Sequence, residues 1–290
     1  MLRLLSLCAA ATVAAVACAF YAVLPGGPIE PANAYFQQTN IYRSGLVGTH
    51  TLALTFDDGP SAYTPHILDE LAKNNVKATF FVLGSRARQH PELLERMSRE
   101  GHVIANHSLT HPKMGRRYAL HPEYLVEQIG GTHDAIAPHL RPNQGFYFRA
   151  PYGIWRKVHA EYLNADPVLR NYVGPIYWEV GGSIEHDGAG NVRSAADWDC
   201  WSRDWSTEQC QAGYMTEIAA KNGGIVLLHD IRERSAWLVQ SMVPALIEQG
   251  YTFVTLDQVP GLDPYRTPPA TETPVAALRG SQTAMAAPQR

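Results

Sequence analysis

Between residues 50 and 260 the chain repeats one unit: a short run of β-branched, aromatic or other apolar residues that stops at polar side chains, followed by a stretch with helical spacing. The runs are TLALTF (51–56), ATFFVLG (78–84), HVIANHS (102–108), FYFRAPYG (146–153), IYWEV (176–180), GIVLLHD (224–230) and YTFVTLDQV (251–259). Between them, TPHILDELAKNN (64–75), PELLERMSREG (91–101), HPEYLVEQIGGTHDAIAPHL (121–140), TEQCQAGYMTEIAAKN (207–222) and SAWLVQSMVPALIEQG (235–250) read as helices, with a break expected at Gly130-Gly131. Residues 35–50 read as a lead-in and 181–206 as a long irregular insert. Strand–helix alternation at this spacing suits β/α units, and there are enough of them to close a barrel.

The chemistry falls in one kind of place. Asp57-Asp58, His107 with His111, Arg149 with Tyr152, and His229-Asp230 each follow the C-terminal end of an apolar run. In a β/α barrel those ends converge on one face, where active sites lie. An adjacent carboxylate pair is costly there unless a cation, an Arg or a proton relieves it. HSLTH (107–111) spaces two imidazoles at i, i+4, so both can face one metal. With one carboxylate of the pair they make a two-His, one-Asp set that leaves positions open for water and substrate, and a borderline ion such as zinc suits it better than calcium. The second carboxylate is then free to accept a proton, Arg149 is placed to keep it ionised, and His229 suits protonation of a leaving group. A surface His pair, a surface Arg149 and a satisfied core His229 are the competing plain readings.

Composition narrows the partners. The 24 Lys+Arg against 27 Asp+Glu leave a net −3 with no basic block, which argues against nucleic acid. After Arg3, residues 4–24 carry no charge and are Ala-rich, as export leaders are. Residues 1–34 are therefore expected to be either a cleaved signal peptide or a retained membrane anchor, placing the protein in the periplasm, secreted, or anchored facing outward. Cys8 and Cys18 lie in that leader, and Cys200 and Cys210 are the two that remain. A disulfide between them fits an oxidising compartment and would stabilise by about 2–3 kcal/mol through loop entropy. Residues 35–263 are expected to form the catalytic domain, and the Pro/Ala-rich 264–290 a disordered tail.

Four motifs resemble those of the polysaccharide deacetylases of carbohydrate esterase family 4, the NodB-homology domain: TFDDGP at Thr55–Pro60, HSLTH at His107–His111, RAPY at Arg149–Tyr152 and LLH at Leu227–His229. The resemblance covers about residues 50–260. It implies an irregular (β/α) barrel of seven or eight strands, with Asp57 as general base and Asp58, His107 and His111 as metal ligands, zinc or another divalent ion such as cobalt. It also implies that Arg149 orients Asp57, that the backbone N–H of Tyr152 helps form an oxyanion hole, and that Leu227 lines the acetyl pocket while His229 is the general acid. The family's Asp-Trp segment matches Asp197-Trp198 less tidily, after a long insert. That assignment makes Asp197 a residue that tunes the catalytic groups and Trp198 a groove wall, with Trp178-Glu179 as an alternative. Trp201 and Trp205 either stack on sugar faces or pack the insert against the barrel.

The implied activity is hydrolysis of N-acetyl groups on an N-acetylglucosamine-containing glycan. The alternatives are an O-acetyl esterase acting on xylan or a similar polymer, and an inactive glycan-binding module. Glycoside cleavage is disfavoured, because it uses two separated carboxylates rather than an adjacent pair beside two His.

Overall fold

The computed structural model describes residues 36–41 and 45–265. The leader assigned to 1–34 and residues 266–290 of the tail assigned to 264–290 lie outside the described residues, while Pro264 and Tyr265 belong to a 3₁₀ segment, with Tyr265 packed against the core. Among those described, no helix is long and apolar enough to cross a membrane.

The apolar runs form parallel strands. β1 (Phe36–Ile41), β2 (Thr51–Asp57), β3 (Thr79–Val82), β4 (Val103–Asn106), β5 (Phe146–Tyr147), β6 (Tyr172–Ile176), β9 (Gly223–His229) and β10 (Thr252–Phe253) surround one interior, and the insert adds the antiparallel pair β7 (Glu185–His186) and β8 (Val192–Ser194). β2 is the hub. One edge pairs with β9 along its whole length, and the other is shared by β10 at its start and β3 at its end. β3 continues to β4, while β1, β6 and β5 form a second parallel sheet. Isolated bridges at Asn106–Phe148 and Val180–Val226 join the two sheets into an irregular barrel, as the motifs imply.

The period of two along each strand decides what faces where. On β2, Leu52, Leu54 and Phe56 pack outward against the helix Thr64–Lys73 through Ile67, Leu68 and Leu71. Ala53 packs inward with Phe81, Ala105 and Ile225. Continuing the inward parity from Ala53 gives Thr55 and then Asp57. On β9 the outward residues are Val226 and Leu228, so Leu227 and His229 share the inward parity of Ile225. The in-register pairing of Asp57 with His229 then sets the two polar ends side by side. The core and the site are thus built by the same alternation.

Several expected elements are shorter or differently made. The run 146–153 is a strand only over Phe146–Tyr147, because Pro151 opens a 3₁₀ turn in which Tyr152 takes φ 57°. The run 251–259 pairs only at Thr252–Phe253 and then turns through 3₁₀ segments. Gly130-Gly131 does not end the 121–140 helix: a π-turn over Val126–Gly130 carries the chain into Gly131–Ile136, the usual way a helix absorbs an extra residue. IYWEV contributes only the end of β6, and the lead-in contains β1. The insert is less irregular than expected, since it holds the β7–β8 hairpin and the helix Asp197–Ser202. The Cys200–Cys210 disulfide is present and buried, tying that helix to the helix Thr207–Lys221.

Candidate active site

Asp57 and Asp58 lie on the same turn but have different surroundings. Asp57 is buried and its Oδ1 accepts from Arg149 Nη1 at 2.7 Å. Arg149 is itself fully buried. It donates further to Thr55 Oγ1 at 2.8 Å and to the carbonyl of Ile176 at 3.2 Å, and its guanidinium lies 4.2 Å from the centre of the Phe81 ring. Thr55 passes the contact on, donating to the Val226 carbonyl at 2.7 Å. A buried pair held by this many partners meets the condition under which ions are tolerated inside a fold. Burial pushes the Asp57 carboxyl above its usual 3.8, and Arg149 and His229 pull part of the way back. Asp57 is therefore a stronger base than a free carboxylate.

Asp58 takes φ 77°, and Asp57 keeps a contact with the same group of side chains, its Oδ2 lying 3.5 Å from His107 Nε2. Asp58 Oδ1 lies 3.5 Å from His107 Nε2 and 3.3 Å from His111 Nε2, and the ligand atoms of the three residues all fall within 4.8 Å of one another. That Oδ1 is buried without a hydrogen-bond partner, an orphan that a cation would satisfy. His107 Nδ1 lies 2.9 Å from the Arg149 carbonyl, so it carries the proton and leaves the Nε2 lone pair facing Asp58. Burial lowers the His107 pKa to about 3, which keeps the ring neutral, the form a metal needs. The set fits a divalent ion in residue type, in tautomer and in its unsatisfied oxygen.

The loops supporting this set run through uncommon backbone. Asp58, Ser108 (φ 73°), His111 (φ 59°) and Tyr152 all adopt left-handed conformations. Non-glycine residues held there cost energy and concentrate at functional sites. Asn106 fixes one of these turns, since its Oδ1 accepts from Ser108 N at 2.9 Å while its Nδ2 donates to the Ile129 carbonyl at 2.8 Å. Gly59 is required for a different reason: an added Cβ would lie 2.0 Å from an Asp230 carboxylate oxygen. Asp230 is fully buried and accepts from Thr64 Oγ1 at 2.6 Å, and burial raises its pKa to about 7.

Beside Asp57, on β9, His229 meets Asp197. Asp197 Oδ1 lies 2.7 Å from His229 Nδ1, and its Oδ2 accepts from the His229 backbone N–H at 2.9 Å. Burial alone would lower the imidazole pKa, yet Asp197 outweighs it and the value rises to about 9. Asp197 is held below the usual carboxylate range despite its own burial, by His229 and by Ser235.

The remaining sequence-derived residues are distributed as follows. Leu227 is buried on β9 beside Thr55 in register. Tyr152 is 56% exposed, with its ring 4.5 Å from that of His111. Trp198 is 49% exposed on the first turn after Asp197. Glu179 does not take the Asp197 position. It accepts from the backbone N–H groups of Gly45 and Ile225, and Trp178 stacks on Tyr177. Trp201 and Trp205 pack against the core, so the packing reading of these two holds. Sequence reasoning missed Asn106, Tyr214 and Ser235, and it placed Asp230 at a strand end without giving it a role. Asn106 and Asp230 adjoin recognisable motifs, whereas Tyr214 and Ser235 sit in helices with no local signal.

The molecule is therefore a parallel α/β barrel whose strand ends carry a candidate metal cluster, the buried Asp57–Arg149 pair and the half-buried His229 on buried Asp197. A family model described as polysaccharide deacetylase matches residues 45–168. The chitooligosaccharide deacetylase of Sinorhizobium fredii is 32% identical over 234 residues, covering 74% of this chain and 94% of that protein. The peptidoglycan-N-acetylglucosamine deacetylase PgdA of Listeria monocytogenes is 35% identical over 215 residues, 72% of this chain; the match spans only 39% of that longer relative. Among solved structures, the T48 deacetylase with substrate superposes with a TM-score of 0.56 at 33% identity, covering 73% of this chain and 90% of that one. The peptidoglycan deacetylase PdaC of Bacillus subtilis gives 0.55 at 31% identity, with 73% and 90% coverage. The chain belongs to the polysaccharide deacetylase family.

Proposed function

We propose that this protein is a metal-dependent hydrolase that removes N-acetyl groups from N-acetylglucosamine-containing glycans outside the cytoplasm, with zinc as its ion. The observation that carries the reading is the division of the adjacent carboxylates: Asp57 is bound by buried Arg149, while Asp58 closes a cluster with His107 and His111. The names of the relatives support an acetylated glycan as substrate, and the disulfide supports export.

A divalent cation held by Asp58, His107 and His111 would supply Lewis acidity to the acetyl carbonyl and to water. The chain's own groups do the rest. Asp57, held at Oδ1 by Arg149, takes the proton of the attacking water at its other oxygen. The backbone N–H of Tyr152 donates to the carbonyl oxygen as it gains charge, and Leu227 packs against the acetyl methyl. His229, kept protonated at neutral pH by Asp197, gives its Nε2 proton to the departing amine nitrogen. Trp198 forms a wall for the sugar. The products are acetate and a free amine.

The test is acetate release by the full chain from chito-oligosaccharides, peptidoglycan and acetylated xylan, with chelator and with zinc restored. Release from the first two that chelator stops and zinc restores is expected. Release from xylan alone would assign an O-acetyl esterase, and no release from a folded, zinc-loaded protein would overturn the enzyme reading.

The pH profile follows from the same groups. His229 must be protonated to act as the acid, so activity is lost as pH rises through about 9. Asp57 must be ionised, so activity is lost as pH falls through its elevated pKa. In Asp197→Asn the main cause raising the imidazole is gone while burial still lowers it and Asp57 and Asp58 still raise it, so the alkaline limb should move from about 9 toward the unperturbed value near 6.5. A kcat profile of this variant whose alkaline limb stays near pH 9 would exclude the Asp197–His229 assignment.

A further inference from the structure

We propose that Trp201 and Ser235 form a one-way hydrogen-bond relay that positions Asp197 and, through it, His229; its catalytic meaning rests on the function proposed above. Asp197 is fully buried and saturated with donors. The backbone N–H of Trp198 reaches Oδ1 at 2.8 Å, and Ser235 Oγ reaches Oδ2 at 2.8 Å, in addition to the two contacts from His229. Ser235, also fully buried, lies on the first turn of the helix Glu233–Glu248, and its Oγ is 3.0 Å from Trp201 Nε1.

The direction of every link is fixed by chemistry. An indole N–H can only donate, and an ionised carboxylate can only accept. The hydroxyl of Ser235 must therefore accept from Trp201 and spend its single proton on Asp197. With Oδ2 occupied by Ser235 and the His229 backbone, the carboxylate cannot rotate away, and Oδ1 stays on His229 Nδ1. The protonated ring is then held by its Nδ1–H, and its Nε2–H is left for the leaving amine.

Two features hold the relay itself. Arg234 lies over the Trp201 ring at 5.4 Å, and the Cys200–Cys210 disulfide anchors the turn on which Trp201 sits. Tyr214 clamps the backbone of Asp197 independently: its hydroxyl accepts from the Asp197 N–H and donates to the Leu227 carbonyl, both at 2.9 Å. Asp197 is thus fixed at its backbone by Tyr214 and at its side chain by Ser235. Trp201 and Ser235 are positioning residues, since neither needs to touch the glycan.

The test compares Ser235→Ala, Trp201→Phe, the double variant and Ser235→Thr by kcat and KM for acetate release, in full-length zinc-loaded protein. Ser235→Ala should lower kcat about tenfold with KM within about twofold, and Trp201→Phe should lower it about threefold. The double variant should match Ser235→Ala, because the indole acts only through the hydroxyl, and Ser235→Thr should stay within about twofold of wild type. Ser235→Ala with wild-type kcat, or a double variant that loses the product of the two single effects, would overturn the relay.

A readout independent of activity is the His229 Nδ1–H signal in ¹⁵N-labelled protein, assigned by its disappearance in His229→Gln. A protected signal that broadens in Ser235→Ala is expected, and one unaffected by both Ser235→Ala and Trp201→Phe would refute the relay. If Ser235→Ala does not fold, Trp201→Phe decides alone, by loss or retention of kcat and of that signal. If the wild type releases no acetate, the activity reading falls, while the signal still decides the relay.

Discussion

Asp57→Asn is expected to lower kcat for acetate release by roughly a thousandfold, within the range that losing a positioned proton acceptor costs. The exchange is nearly isosteric and keeps an oxygen for Arg149 Nη1, so the buried guanidinium retains an acceptor. What is lost is the basicity that burial has raised above that of a free carboxylate. The three cluster residues Asp58, His107 and His111 remain, but Asp57 Oδ2 lies 3.5 Å from His107 Nε2, so some loss of zinc affinity is expected from the missing charge, smaller than the loss on removing a ligand. Asp57→Ala is a harsher change. It leaves Arg149, fully buried, with neither the carboxylate nor an amide oxygen in its place, and removing one partner of such a pair destabilises by about 3–5 kcal/mol. Loss of activity with retained zinc and a retained unfolding midpoint in Asp57→Asn would separate the base from both the metal site and the fold. A kcat within tenfold of wild type would show that another group takes the proton.

The second large effect is expected from His107→Gln. His107 is the most enclosed member of the cluster, neutral through burial and oriented by the Arg149 carbonyl. Losing an outer-shell partner of a metal ligand weakens binding roughly 10–100-fold, and losing the ligand itself should exceed that. Calorimetric titration of zinc into the metal-free variant measures this directly, without reference to any substrate. An affinity within threefold of wild type would mean that Asp58 and His111 hold the ion without His107, or that the ion lies elsewhere. The same variant also removes a ring packed 5.0 Å from that of His111, so some drop in the unfolding midpoint is expected whether or not metal is bound.

Both predictions depend on residues whose placement was largely legible in the chain. TFDDGP, HSLTH, RAPY and LLH carry the family likeness. Strand parity then orients them: a period of two that buries Leu52, Leu54 and Phe56 on one face sends Thr55 and Asp57 to the other. Where local chemistry overrode apolar character, the sequence misled. FYFRAPYG has the composition of a strand, but Pro151 and the left-handed Tyr152 make it a turn, and that turn aims the Tyr152 ring at His111. YTFVTLDQV is apolar enough for a long strand. It pairs for two residues only, because β3 occupies the β2 edge beyond Leu52.

The sequence by itself determined the alternating architecture, the meeting of His107 and His111 with a carboxylate of the Asp57-Asp58 pair, and the pairing of Cys200 with Cys210. These depend on motifs and on short-range periodicity, which a linear chain displays openly. Only the tertiary structure showed what surrounds each of the two adjacent carboxylates, that Asp197 rather than Glu179 reaches His229, and that Trp201 Nε1 reaches Ser235 Oγ. Ser235 and Tyr214 lie 38 and 17 residues from Asp197 on separate helices, and each is an ordinary helical residue in its own segment. Their importance comes from hydrogen bonds formed when the barrel closes. A buried donor or acceptor must find its partner across the fold, and sequence spacing carries no record of that meeting.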